Sequence, residues 1–223
     1  DILLFANLGA IQLNYGYTLD SCKRAIEMIE ADALVLHLNP LQEALQPEGN
    51  TQFKGLLNKI EHICKHLNAP VVVKEVGWGI SAETAQRLQN AGVSAIDVAG
   101  AGGTSWSQVE MFRNQDLFMA ETCGDFRDWG INTVESINNI KRFAPEMTII
   151  ASGGLKNGID ICKTLALGAI LGGMASVFLK AATTEDETIL LKTIQKVSQE
   201  IKICLFASGV KCLREINSSI LKQ

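Results

Sequence analysis

Short apolar runs recur along the chain, and each is followed by glycine or polar residues and then by a helical pattern. The runs cover residues 2–6, 33–38, 71–76, 95–99, 147–151 and 169–173. Their nearly continuous apolar character is typical of parallel strands that are buried on both faces. Strands that alternate with amphipathic helices predict an α/β fold built on a parallel sheet.

Several ends of the intervening helices can be recognised from single residues. Thr18 and Ser81 are predicted N-caps, Asn157 lies just before a third helix, and Gly92 is expected to stop the helix that Ser81 begins. Residues 105–133 differ from the rest because they form one long irregular segment. That segment contains five aromatic residues, so we expect it to pack down as an ordered excursion.

Glycine pairs at the ends of the last two runs indicate a barrel rather than an open doubly wound sheet. The pairs are Gly153-Gly154 and Gly172-Gly173, and (β/α)8 barrels often build a phosphate site from the loops after strands seven and eight. No Gly-x-Gly-x-x-Gly fingerprint follows the first strand. We therefore expect an α/β (β/α)8 TIM barrel whose strands three to eight are the six runs. Residues 1–223 would form a single barrel domain that lacks its first two βα units, and the first and last runs would not pair.

Composition and charge narrow the class of protein further. The chain has 223 residues, 47% of them apolar, and a net charge of −4, which excludes a disordered chain. It lacks the basic stripe that nucleic-acid binding requires, and no run reaches the length of a membrane span. The six cysteines form no Cys-x-x-Cys pair, which is typical of a reducing compartment. We expect a cytoplasmic protein that binds neither nucleic acid nor membranes.

Polar residues at the end of the second run are the first candidates for chemistry. His37 and Asn39 lie two positions apart, which places them on one face of a strand end, and Gln42 and Glu43 follow closely. Such a cluster at a barrel mouth suits an active site. A capped strand-to-helix turn with a structural histidine explains the same residues equally well.

Two charged residues interrupt the third run. Lys74 and Glu75 are adjacent, so one side chain faces the barrel axis and the other faces the helices. A buried lysine requires an anionic or electron-rich partner, because an unpaired buried charge is costly. The alternative is an ordinary ion pair between Lys74 or Glu75 and its neighbours.

Three glycine-rich segments follow the last three runs, at residues 100–104, 151–158 and 172–176. Glycine lets the backbone approach a ligand closely, and successive N–H groups with a helix N-terminus can bind a phosphate. The residues alone therefore predict a barrel that binds a phosphorylated cofactor or substrate.

A series of motifs in a fixed order adds a family resemblance. The motifs are Asn7-Leu8-Gly9-Ala10, His37-Leu38-Asn39, Gln42-Glu43, Gln46-Pro47-Glu48-Gly49, Val73-Lys74-Glu75-Val76-Gly77, Gly102-Gly103-Thr104-Ser105-Trp106, Trp129-Gly130-Ile131 and Ala151-Ser152-Gly153-Gly154. Together they resemble type 2 isopentenyl-diphosphate delta-isomerase, the FMN-dependent form, over about residues 4–180. That family's N-terminal Arg-Lys arm and its loops after strands one and two have no counterpart here, in agreement with the strand numbering.

The resemblance implies a reaction and a set of site residues. Family members interconvert isopentenyl and dimethylallyl diphosphate with reduced FMN as the acid/base cofactor and Mg²⁺ on the diphosphate, and NADPH is the reductant. His37, Asn39 and Gln42 match catalytic and substrate-side positions, and Glu43 matches the Mg²⁺ ligand. The positions that match FMN contacts are Asn7, Lys74 and Thr104 around the flavin and Gly154, Leu155, Lys156, Ala175 and Ser176 around its phosphate. The family also implies a homo-oligomer, a tetramer or an octamer.

Two other functions remain open. An FMN-dependent 2-hydroxy-acid oxidase shares the Gly-Gly phosphate loop, although that chemistry normally needs a histidine base late in the barrel. The three histidines, His37, His62 and His66, all come early. A flavin-binding scaffold that has lost the diphosphate site is the non-enzymatic alternative.

Overall fold

The computed structural model describes residues 2–221, in which six strands form one parallel sheet. The strands are β1 (Phe5–Gly9), β2 (Ala33–His37), β3 (Val71–Lys74), β4 (Ala95–Asp97), β5 (Thr148–Ala151) and β6 (Leu171–Gly172). Each strand pairs with the next one along the chain, and within the described residues β1 and β6 do not pair with each other. The predicted α/β fold with an unclosed sheet is confirmed, and the sheet corresponds to six consecutive βα units of a (β/α)8 barrel.

Helices connect the strands. They are α1 (Leu19–Ile29), α2 (Pro40–Leu45), α3 (Leu56–His66), α4 (Ala82–Asn90), α5 (Trp106–Arg113), α6 (Leu117–Asp125), α7 (Thr133–Phe143), α8 (Gly158–Ala166), α9 (Ser176–Ala182) and α10 (Glu187–Ala207). Short 3₁₀ segments cover Ala10–Asn14, Leu213–Glu215 and Ser218–Ile220. None of the helices described is both long enough and apolar enough to cross a membrane.

The predicted helix caps lie where the sequence placed them. Ser81 Oγ accepts a hydrogen bond from Thr84 N–H at 3.2 Å, and Asn157 Oδ1 accepts one from Asp160 N–H at 2.9 Å. Thr18 directly precedes α1. The Ser81 and Asn157 side chains satisfy N–H groups that the first turn of a helix leaves without partners.

The first strand lies further along the chain than the apolar run predicted. Pairing with β2 starts at Phe5 and continues to Gly9, whereas Ile2 and Leu3 remain 88% and 69% exposed. The apolar run predicted residues 2–6 because hydrophobicity alone does not reveal where a backbone finds a pairing partner. The strand instead carries Asn7 on the sheet, next to β2.

The segment 105–133 is not irregular, because it contains α5 and α6 packed against each other. The expectation that its aromatic residues pack down is wrong for three of them. Phe112, Phe118 and Trp129 are 83%, 74% and 60% exposed. Amphipathic periodicity in this segment is weak, so its helices were not recognisable from apolar spacing.

The two faces of the sheet bury different amounts of apolar surface. On the face towards the helices, a large cluster includes Leu34, Leu36, Val73 and Ile96. The opposite face, which corresponds to the barrel axis, carries a small cluster of Ala33, Val35, Val72 and Ala95 with Phe5 and Ile150. The polar residues at the strand ends extend this second face, which we call the inner face.

Candidate active site

Four strand ends form one row across the inner face of the sheet. The register pairs Gly9 with His37, His37 with Lys74, and Lys74 with Asp97. Partners in a parallel register share a face, and each of these residues lies two positions after a residue of the inner face. The row therefore brings an imidazole, an ammonium group and a carboxylate to the carboxyl ends of adjacent strands, where (β/α)8 barrels carry their active sites.

His37 is held by a neighbouring strand. Its Nδ1 donates to Asn7 Oδ1 at 2.8 Å, which leaves Nε2 with its lone pair. A Cβ atom on Gly9 would lie 3.3 Å from that Nε2, so the small residue leaves room for the ring. Burial and the nearby Lys74 ammonium lower the pKa of His37, and Glu43 opposes them in part. The lowered pKa favours the neutral imidazole of His37.

Lys74 and Glu75 do not pair with each other through their charges. The Lys74 Nζ donates to the main-chain oxygen of Glu75 at 2.6 Å, and no carboxylate of the described residues lies within 4.0 Å of it. Glu75 Oε2 instead accepts the N–H groups of Val76, Gly77 and Trp78 at 2.6, 2.9 and 2.7 Å. The expected division of the two charges between the faces holds, and Lys74 remains available on the inner face.

Asn39 and Glu43 lie together in the turn at the start of α2. Asn39 is the N-terminal flanking residue of that helix, and its Nδ2 donates to Glu43 Oε1 at 3.0 Å and to Gln42 Oε1 at 3.3 Å. Both Asn39 and Glu43 are buried. Asn39 Oδ1 is buried without a hydrogen-bond partner in the described chain. A buried oxygen without a partner can accept a hydrogen bond from a ligand or coordinate a cation.

A sharp turn brings a loop back onto the second oxygen of Glu43. Glu43 Oε2 accepts from Gln46 Nε2 at 2.9 Å and from the Asn50 N–H at 2.6 Å. A Cβ atom on Gly49 would overlap the main-chain oxygen of Glu43, at 1.6 Å, so this fold of the loop requires glycine. The loop therefore orients the carboxylate, as the hydrogen-bonding partners of metal ligands do.

Glu110, on α5, is a candidate site residue that the sequence reasoning missed. It is 1% exposed, and its Oε1 accepts from Gln42 Nε2 at 3.3 Å and from Arg113 Nη1 at 3.1 Å. The contact joins residues 68 positions apart. Only recognition of an amphipathic helix after Ser105 would have placed this carboxylate on a buried face.

The glycine loops after β4 and β5 interlock through close backbone contacts, beside the row of His37, Lys74 and Asp97. A Cβ atom on Gly154 would lie 2.4 Å from the Gly102 oxygen, and one on Gly153 would lie 2.1 Å from the Gly100 oxygen. Thr133 stabilises this contact between the loops, because its hydroxyl donates to the Gly153 main-chain oxygen at 2.7 Å. The sequence reasoning missed Thr133.

The N–H groups of these loops differ in their availability. Within residues 2–221, the N–H groups of Gly154, Leu155, Met174 and Ala175 donate no intramolecular hydrogen bond. Those of Lys156 and Gly158 are already taken, by the carboxylates of Asp160 at 3.2 Å and Glu200 at 2.8 Å.

This difference bears on the predicted phosphate cradle, in which the residue roles stay predictions. The N-terminus of α8 is closed by two carboxylates, and the Lys156 amide is not free to bind a phosphate. The unpartnered amides around Gly154 and Ala175 still suit a phosphate. Thr104 is exposed near this edge, and Ser176 begins α9.

The described residues form no metal site made of several protein ligands. No group of three or more His, Cys, Asp and Glu side chains converges there. Mg²⁺ is usually held by one or two carboxylates together with water and substrate phosphates, so a single Glu43 beside the Asn39 oxygen is compatible with it.

With this geometry in place, comparison with known proteins defines the class. Residues 24–223 match the family model described as FMN-dependent dehydrogenase, and the chain belongs to this family. Its fold also matches solved structures at low sequence identity. A chimera of (S)-mandelate dehydrogenase aligns over 99% of this chain and 65% of its own, with a TM-score of 0.72 and 16% identity. A lactate oxidase of Pediococcus acidilactici aligns over 98% and 60%, with a TM-score of 0.68 and 18% identity.

Curated relatives at higher identity carry one name. The isopentenyl-diphosphate delta-isomerases of Nostoc sp. and Synechocystis sp. are 49% and 48% identical over 98% and 97% of this chain. That of Rickettsia rickettsii is 45% identical over 97%. The chain spans 62–63% of the length of these relatives.

Proposed function

We propose that this protein interconverts isopentenyl diphosphate and dimethylallyl diphosphate with reduced FMN and Mg²⁺. The observation that carries the proposal is the polar constellation of His37, Asn39, Gln42, Glu43 and Glu110 at the carboxyl edge of the sheet. The relatives named isopentenyl-diphosphate delta-isomerase supply the reaction. The family to which the chain belongs supplies the flavin.

Residues at the carboxyl ends of five strands would hold the flavin. The free amides of Gly154, Leu155 and Ala175 would bind its phosphate, and Asn7, Thr104 and Lys74 would lie along the ring system. The Lys74 ammonium would stabilise negative charge on the reduced ring. Lys156 would contribute its side chain only, because its N–H is bonded to Asp160. When bound, reduced FMN supplies the acid/base group that moves the allylic proton.

The diphosphate needs a counter-charge, since the chain itself carries a net charge of −4. Glu43 would hold Mg²⁺, and the unpartnered Asn39 oxygen would bind the ion or a water molecule on it. The neutral His37, with Nε2 free, would accept a hydrogen bond on the substrate side. The Glu110 carboxylate would fix the orientation of the Gln42 amide at the site.

The decisive experiment combines the full-length protein with isopentenyl diphosphate, NADPH, FMN and Mg²⁺. Dimethylallyl diphosphate should form, and Glu43→Gln should remove Mg²⁺ stimulation and weaken diphosphate binding while FMN stays bound. Glu48→Gln is the matched control, because Glu48 is exposed in the same loop. Normal Mg²⁺ stimulation of Glu43→Gln would refute the metal assignment.

The alternative function, an FMN-dependent 2-hydroxy-acid oxidase, is favoured by one observation, the description of the matching family model. His62 and His66 lie exposed on α3, so among the three histidines only His37 is available as a base at the site. The same incubation with 2-hydroxy acids distinguishes the two reactions. Turnover of a hydroxy acid without formation of dimethylallyl diphosphate would replace the isomerase proposal, and flavin binding without either activity would favour the non-enzymatic scaffold.

Assembly and location belong to the same proposal. The family resemblance implies a homo-oligomer, a tetramer or an octamer, and the exposed Phe112, Leu117 and Phe118, at 83%, 80% and 74%, offer apolar surface for such an interface. All six cysteines are free thiols in the structure, which suits the cytoplasm. Light scattering of the full-length protein would measure the oligomer, and a monomer would contradict it.

A further inference from the structure

Asp97 is the one member of the polar row to which the proposed reaction gives no task. It ends β4 and is in register with Lys74 on one side and Ile150 on the other. Its carboxylate therefore lies on the inner face, next to the lysine that would serve the flavin.

The carboxylate of Asp97 is bonded to two segments of the site. Its Oδ1 accepts from the Ser152 hydroxyl at 2.7 Å and from the Ala99 N–H at 3.3 Å. Ser152 directly precedes the Gly153-Gly154 loop, and Ala99 directly precedes the Gly100 loop. One oxygen atom thus joins the two loops that interlock beside the row.

Ala99 shows why this bond is needed. Its φ of +35° is left-handed, which is unfavourable for a residue with a Cβ atom and persists only where the surroundings hold it. The Asp97 oxygen holds the Ala99 N–H in this turn. Loss of this bond should loosen the turn that leads into the Gly100 loop, where the Gly100 N–H donates to the Ser152 main-chain oxygen at 3.0 Å.

The charge of Asp97 is also placed to act on Lys74. Burial raises the pKa of Asp97, whereas the Ser152 hydroxyl and the Lys74 ammonium oppose that shift. No direct ion pair forms between the two side chains in the described residues, so they interact through a partly buried space where screening by water is weak.

We propose that Asp97 is a positioning residue of the flavin site, which ties the two glycine loops together and offsets the positive charge that Lys74 presents to the flavin ring. This inference rests on the proposed function in so far as the site binds FMN. Asp97 lowers the preference of the site for the reduced, anionic flavin and so keeps the cofactor strongly reducing.

Two substitutions separate the charge from the hydrogen bonds. Asp97→Asn keeps an oxygen that accepts from Ser152 and Ala99 but removes the charge, and Ser152→Ala keeps the charge but removes one bond. Asp160→Asn is the control, because Asp160 is a carboxylate near the same loop that lies on the α8 side. The measurements are the dissociation constants of oxidised and reduced FMN and hydrogen exchange of the apoprotein.

We expect Asp97→Asn to favour reduced over oxidised FMN by about tenfold more than the wild type does, which equals a rise of about 30 mV in a two-electron potential. Ser152→Ala and Asp160→Asn should change this ratio less than twofold. In the apoprotein, Ser152→Ala should lose exchange protection at Ala99 and Gly100, whose N–H groups donate to Asp97 and to the Ser152 main-chain oxygen, and Asp97→Asn should keep it.

A ratio in Asp97→Asn within twofold of the wild type would overturn the proposal while leaving FMN binding and the isomerase reaction intact. Equal protection of the loops in Ser152→Ala and the wild type would overturn it even if Asp97→Asn failed to fold. Failure of the wild type to bind FMN would instead refute the proposed function, and the exchange measurement would still test the tie.

Discussion

Glu75 allows a quantitative test of how the turn after β3 is stabilised. Its carboxylate accepts three successive backbone N–H groups, and Glu75→Ala would leave all three without this acceptor. The Trp78 N–H belongs to a buried residue, so its loss costs about 1–3 kcal/mol. The half-buried Val76 and Gly77 can turn to water, at about 0.5–1 kcal/mol each.

Burial of the charge reduces the net gain from these bonds. It raises the pKa of Glu75, although the three N–H groups and Lys74 oppose the shift. We therefore expect Glu75→Ala to lower the free energy of unfolding by about 2–4 kcal/mol. Glu75→Gln, which keeps a neutral acceptor in the same place, should lose about half of that.

Urea denaturation followed by circular dichroism measures both variants. A loss of this size corresponds to a fall of about 1 M or more in the urea midpoint. Glu83→Ala is the matched control, because Glu83 is 74% exposed in its ion pair with Arg87 and should change stability by no more than about 0.5 kcal/mol. Equal midpoints for Glu75→Ala and Glu83→Ala would refute the reasoning.

Three further predictions concern the glycine loop, the core and the histidine. Gly154 has a φ of +81°, and a Cβ atom there would lie 2.4 Å from the Gly102 oxygen. Gly154→Ala should therefore weaken FMN binding at least tenfold in a flavin-fluorescence titration. An unchanged affinity would contradict the proposed role of the two glycine loops in binding FMN. Ile137→Ala removes a fully buried side chain and should cost about 2–5 kcal/mol in urea denaturation, whereas Val134→Ala on the same helix, 50% exposed, should stay within about 0.5 kcal/mol. His37 should titrate below pH 6.5 by NMR, because burial and Lys74 lower its pKa. The stability that its neutral form contributes is present above pH 6.5 and is lost as the pH falls through the folded-state pKa. Lys74→Met should raise the pKa of His37. An unchanged pKa in this variant would show that Lys74 does not lower it.

The sequence predicted best where a residue's neighbours along the chain determine its role. The caps at Ser81 and Asn157 followed from local hydrogen bonding, and the placement of Lys74 and Glu75 on opposite faces followed from the alternation of side chains along a strand. The start of β1 at Phe5 was missed, because the partner strand decides where pairing begins.

Long-range contacts were the main part that the sequence concealed. Glu110 meets Gln42 across 68 positions, and nothing in the helix around Glu110 marks that carboxylate as buried. The segment 151–158 was expected to present N–H groups and a helix N-terminus to a phosphate, yet the Gly158 N–H donates to the Glu200 carboxylate of α10. Each of these outcomes depends on how separate elements pack, which local pattern does not encode. The roles assigned to the site residues and the two preceding βα units stay predictions.

The interlocked glycine loops also bear on the order in which the chain folds. Gly100 and Gly153 touch through their backbones, although more than fifty residues, including α5, α6 and α7, separate them. Closing such a long loop costs entropy before any contact repays it. We therefore expect the two loops to meet only after β5 has paired with β4. A flavin that bound between these loops would stabilise the folded protein but not partly folded forms in which the loops are apart. The change in flavin fluorescence during refolding would therefore report when the two loops meet.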